Sequence, residues 1–87
     1  MERQSFNAPV TVYITGRRQF RIISDVNGAS DFLFDHWATN DSARWMFAMN
    51  QCNAATLGRI SPEDARAAFI SAMRSAGMQI NCEISLP

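Results

Sequence analysis

A single histidine, His36, occurs among the 87 residues, so any imidazole general base or imidazole metal ligand must be this one. Two cysteines, Cys52 and Cys82, complete the soft-ligand inventory, and the three side chains fall singly on three separate segments. Zinc sites draw three or four such ligands, commonly in closely spaced pairs, and this spacing offers none. Asp31 and Asp35 stand four apart and share one side of a helix. A catalytic carboxylate pair needs one member with a raised pKa, and neither has apolar neighbours at the same helical angle, so both read as a solvated face. The glycines Gly16, Gly28, Gly58 and Gly77 are isolated and build no phosphate-cradling loop. All eight basic residues are arginine. Without a lysine amine, Schiff-base and pyridoxal chemistry and a Walker-type phosphate loop are excluded. The sequence assigns no catalytic residue, no cofactor and no metal.

Eight acidic residues balance the eight arginines, giving a formal net charge of zero. Nucleic-acid binders concentrate positive charge, because counterion release from phosphates supplies much of their affinity. Only Arg17, Arg18 and Arg21 cluster here, and they read as the solvated turn and outer face of a hairpin. The opening Met1-Glu2-Arg3-Gln4-Ser5-Phe6-Asn7 lacks the apolar core of a secretory signal, and no stretch is long and apolar enough to span a membrane. A cytoplasmic location without membrane contact is the expectation. In a reducing compartment Cys52 and Cys82 are expected as free thiols and not as a bridge.

The elements that must position these residues are legible from periodicity. From Pro9 to Thr15, Val10, Val12 and Ile14 alternate with Thr11, Tyr13 and Thr15, the period of a half-buried strand. After the polar break Gly16-Arg17-Arg18-Gln19, the residues Phe20 to Ile23 resume a period of two, which predicts a hairpin ending near Ser24. Turn chemistry at Asp25-Val26-Asn27-Gly28, with Asn27 as N-cap, opens a short helix to Trp37 on the apolar spacing of Ala29, Phe32, Leu33 and Trp37. His36 falls at the angle of Phe32 and Leu33, which predicts a partly buried, hydrogen-bonded histidine. The run Thr39-Asn40-Asp41-Ser42 offers fresh caps for a second helix, with Trp45, Met49, Cys52 and Thr56 as its stripe and Gly58 as its stop. A third helix is written with both ends: Ser61 as cap, Pro62 at the first position, Glu63 and Asp64 at the positive end of the dipole, and Gly77 as stop. Its buried stripe is Ala65, Phe69, Ala72, Met73 and Ala76. Beyond it Met78, Ile80, Cys82 and Ile84 alternate with polar residues as a third strand.

The predicted architecture is α+β. An N-terminal β-hairpin, three helices and a C-terminal strand form one domain over residues 1–87, with 1–8 as a flexible lead-in. The helices cover one face of a small three-stranded sheet, antiparallel or mixed, since the pairing of the last strand is not readable. Phe34 and Phe47 resist this scheme, because each lies off the apolar stripe of its helix. Either the second helix is sandwiched between the others, or an exposed patch makes a subunit or partner interface, which Ile70 on the flank of the third helix would join.

Pro9-Val10, the tryptophan closing the first helix, Ala48 through Cys52 to Leu57-Gly58, and Ala65-Arg66-Ala67-Ala68-Phe69-Ile70 running to Ala76-Gly77 occur in a distinctive order. Together they resemble a family of small uncharacterised bacterial proteins, abundant in nitrogen-fixing root-nodule bacteria and catalogued as a domain of unknown function. The resemblance runs from about Pro9 to Ile80 and departs at Ala38, where the family pattern usually has proline. It implies no established activity, cofactor or catalytic residue. The expected function is a non-catalytic binding or interaction module with candidate interface residues Phe34, Phe47 and Ile70, taking a second copy or a protein partner. The alternatives are a small-ligand or enzymatic domain using His36, and a weak nucleic-acid binder through Arg17, Arg18 and Arg21.

Overall fold

The computed structural model describes residues 5–14, 19–37 and 42–81. Gly16, Arg17, Arg18, Ala38, residues 39–41, Cys82 and Ile84 lie outside them. Strands β1 (Ser5–Ile14) and β2 (Gln19–Asp25) form an antiparallel hairpin. A short β3 (Gln79–Asn81) pairs antiparallel with the other edge of β1, giving the strand order β2-β1-β3. Helices α1 (Val26–Asp35), α2 (Ala43–Thr56) and α3 (Pro62–Ser75) complete an α+β fold. The pairing of the last strand, open in the sequence, is thus antiparallel.

Strand β1 begins at Ser5, earlier than its clean alternation suggests, and Phe6 and Ala8 are buried. Residues 5–8 therefore belong to the first strand. The alternation fails there because the β1–β2 register shifts between Ser5 and Val10. The carbonyl of Ala8, inside the irregular stretch, accepts a 2.8 Å hydrogen bond from Arg66 Nε of α3. Beyond the shift the pairing is regular. Val10 faces Ile23, and Val12 faces Arg21 on one side and Ile80 on the other, which defines the inner face.

Each helix is started and stopped by its own residues. Asp25, the last residue of β2, is also the N-cap of α1, its carboxylate accepting a 2.7 Å bond from the Gly28 amide. The expected cap at Asn27 is displaced because the strand runs straight into the helix without a loop. Helix α1 ends at Asp35, with His36 as its C-cap, so Trp37 lies beyond the helix and packs half-buried against the core. Ser42 and Ser61 cap α2 and α3 through the amides of Trp45 and Asp64. Both helices then end in the same pair of backbone hydrogen bonds, with a glycine at φ 77° as the pivot. In α2 the Gly58 and Arg59 amides donate to the carbonyls of Ala55 and Ala54, and in α3 the Gly77 and Met78 amides donate to those of Arg74 and Met73.

α1 packs on β2, and α3 on β1 and β3, while α2 lies mainly against α3 and α1. The core joins Val10, Val12 and Ile23 to Phe32, Leu33, Trp45, Phe69 and Met73. The buried stripe of α2 is Trp45, Ala48, Cys52 and Ala55, with Met49 half-buried and Thr56 exposed. The expected Met49 and Thr56 are replaced by Ala48 and Ala55, because helix-on-helix contact at this seam favours the smallest side chains. On α3, Ala68 takes a place in the core, whereas Ala76 becomes the exposed C-cap.

Trp45 is fully buried, and its indole Nε1 donates a 2.9 Å bond to the carbonyl of Leu33, one of the last-turn acceptors of α1 that lack a helical partner. Trp45→Phe removes both volume and donor, and should lower stability by about 2–3 kcal/mol. The check is a reduced urea midpoint at unchanged denaturant slope.

Candidate interaction surface

His36 is half-buried, as its helical angle predicts. Its Nδ1 lies 3.1 Å from the Phe32 carbonyl, and its ring stacks on that of Phe32 with centroids 4.2 Å apart. Those contacts fix it as the closing residue of α1. No group of three His, Cys, Asp or Glu side chains that could hold a metal ion occurs among the described residues. Asp31 and Asp35 are exposed on α1. Of the clustered arginines, Arg21 points to the inner face of β2 and holds its guanidinium carbon 5.7 Å from the centroid of the Phe32 ring. Its position there is explained by a cation–π contact with the core.

Cys52 is a buried free thiol facing the α1–α3 side of α2, and burial pushes its pKa up from 9.0 to about 11. A thiol in that state is a packing group and a poor nucleophile. Its partner in the sequence inventory, Cys82, lies outside the described residues.

The arrangement that stands out is apolar. Phe34 and Phe47 are 69% and 55% exposed, so the second helix is not sandwiched and neither ring is part of the core. Met46 and Leu57 are also exposed on the outer side of α2. Ile70 behaves differently: it is half-buried and packs against the core. It also lines a shallow hollow of about 470 Å³ with Arg44, Ala67, Ser71, Arg74 and Ser75.

A second apolar surface lies on the open face of the sheet. Register places Phe20, Tyr13 and Gln79 in one cross-strand row and Ile22, Thr11 and Asn81 in the next, all directed away from the helices. Phe20 and Ile22 are 58% and 60% exposed, and the Tyr13 and Phe20 rings meet at 6.2 Å. The solvated face of an antiparallel sheet ordinarily reads polar. Sequence reasoning missed this face because β2 carries apolar residues in both phases, Phe20 and Ile22 in one and Ile23 in the other. The signal that selects the phase is Val10 and Val12 on the neighbouring strand, whose partners must be Ile23 and Arg21.

No helix among the described residues is long and apolar enough to cross a membrane. A family model described as "Protein of unknown function (DUF982)" matches residues 8–80. No curated protein and no solved structure matches the chain.

The raised Cys52 pKa has a consequence for stability. The unfolded chain releases the thiol proton near pH 9.0 while the native chain holds it until about 11, so stability is fully present below the lower value and falls as pH rises through the window. The expected slope is on the order of 1 kcal/mol per pH unit. A lysine-free chain has few other groups that change charge there. Urea midpoints measured across the window should fall steeply for the native sequence and much less for Cys52→Ala.

Proposed function

The chain belongs to this family of unknown function, DUF982, and within it we propose a non-catalytic interaction module that associates with a second copy of itself. The observation that carries the reading is the open sheet face, where Tyr13, Phe20 and Ile22 form contiguous apolar surface with no layer of the described residues over it. Two such faces stacked on each other recreate a sheet-on-sheet core, one of the few stable ways to bury a sheet's apolar side. A formal net charge of zero removes the long-range repulsion that keeps like copies apart. A bacterial, cytoplasmic setting belongs to the same proposal.

Phe34 and Phe47 form the helical contact surface of the module in this reading, available to a protein partner when the sheet face is occupied. Ile70 contributes through the hollow that it lines between α2 and α3. Neither His36 nor Arg21 is required, since each is held by contacts to Phe32.

Sedimentation velocity over a concentration series is the test. A weight-average mass rising towards the dimer at micromolar protein is expected, with Phe20→Glu and Ile22→Glu each weakening association by about tenfold or more at near-native melting temperature. A strict monomer throughout the series, or a dimer unaffected by both substitutions, overturns the assignment of the sheet face.

A further inference from the structure

Between the first turn of α2 and the last two turns of α3 lies the hollow of about 470 Å³ lined by Arg44, Ala67, Ile70, Ser71, Arg74 and Ser75. Its polar groups come from two helices, which tertiary packing brings together across 27 residues of chain, as the 3.0 Å bond from an Arg44 guanidinium nitrogen to Ser71 Oγ shows. The Ser71 hydroxyl accepts that bond and still carries one proton that it can donate. Ser75 adds a second hydroxyl one helical turn further on, and Arg74 stands beside it with an interaction of its own. No carboxylate is among the described residues of the lining, whereas Ala67 and Ile70 supply an apolar floor.

The placement of Arg44 runs against helix electrostatics. It is the second residue of α2, and neither an acidic residue in the first turn nor a basic one in the last complements that dipole. A cation at the positive end of a helix is unfavourable, so its location is not explained by the stability of α2. Local conflicts of this kind gather where a residue serves binding. Arg74, by contrast, sits in the last turn of α3, where a cation is electrostatically favoured.

We propose that this hollow binds a small phosphate-type oxyanion, with Arg44 as the principal ligand, Ser71 and Ser75 as hydroxyl donors and Arg74 as a flanking cation. The planar fork of a guanidinium matches two oxygens of a phosphate, and the hydroxyls donate to a third. The space exceeds that of the oxyanion alone, and the Ala67–Ile70 floor accommodates an apolar portion of the molecule that carries it. This site is independent of the open sheet face, because it lies on the helical layer and uses none of Tyr13, Phe20 or Ile22.

The test is an amide-resolved NMR titration of the full chain with inorganic phosphate, in chloride buffer of matched ionic strength, with sodium acetate as a parallel arm. Saturable shifts confined to the first turn of α2 and the last two turns of α3 are expected, with affinity falling about tenfold in Arg44→Gln. Both Arg44 and Ser71 lie at the surface or half-buried, and the unaltered spectrum of distant residues confirms that the variant folds. The proposal is overturned by shifts that do not saturate, by equal affinity in native and Arg44→Gln protein, or by acetate binding as tightly as phosphate. It is also overturned if a single-stranded oligonucleotide binds at this face and inorganic phosphate does not.

Discussion

The buried indole of Trp45 is the contact on which the helical layer depends. Helix α2 rests on the other two helices and has little direct support from the sheet, so its position is set by what it inserts between them. Trp45 supplies the largest fully buried side chain and a polar tie in the same residue, because its N–H donates to the Leu33 carbonyl in the last turn of α1. Once the indole is seated, the small residues Ala48, Cys52 and Ala55 follow along the same stripe and let α3 approach closely. The α2–α3 seam then decides where Arg44 meets Ser71, and hence the shape of the hollow between those helices.

The same layering leaves the sheet one-sided. α1 and α3 cover the face of Val10, Val12 and Ile23, and Arg66 reaches from α3 to the Ala8 carbonyl to hold the irregular end of β1 in place. Nothing in the described chain covers the other face, which nevertheless carries two aromatic rings and an isoleucine. A domain of 87 residues has a small core, so apolar side chains that remain in water are a substantial share of what it could have buried. Their contiguity across two strands, as distinct from scattered single residues, is what gives them meaning as a contact surface. The residues with chemical potential are absorbed elsewhere: His36 closes α1, Arg21 lies over Phe32, and Cys52 is a protonated packing group.

Legibility in the sequence followed the range of the interaction responsible. Ser61, Pro62, Glu63, Asp64 and Gly77 are readable because capping, dipole and left-handed stop all act within one or two turns, and each does what its residue type suggests. Asn27 failed as a cap because Asp25 performs that task while still paired in β2, a double role that local turn chemistry does not disclose. On α2 the choice between Met49 and Ala48, or Thr56 and Ala55, turns on how closely α3 approaches, and no spacing within α2 encodes that distance. Phe6 and Ala8 are not legible as core residues because the register shift breaks the alternation that would reveal them. The candidate surface was half legible. Phe34 and Phe47 could be seen to lie off their stripes, but whether another element covered them depended on where the helices stacked.

By itself the sequence determined the α+β class, the order of the described elements, the stop of α2 and both ends of α3. It also determined the absence of lysine chemistry and the balance of charge, since all of these reside in residue identity or in contacts a few positions long. Only the tertiary structure decided the antiparallel pairing of β3, the phase that turns Phe20 and Ile22 outward, and the meeting of Arg44 with Ser71. Each of those joins segments far apart in the chain, and the free energy that selects among the alternatives comes from burial shared between elements.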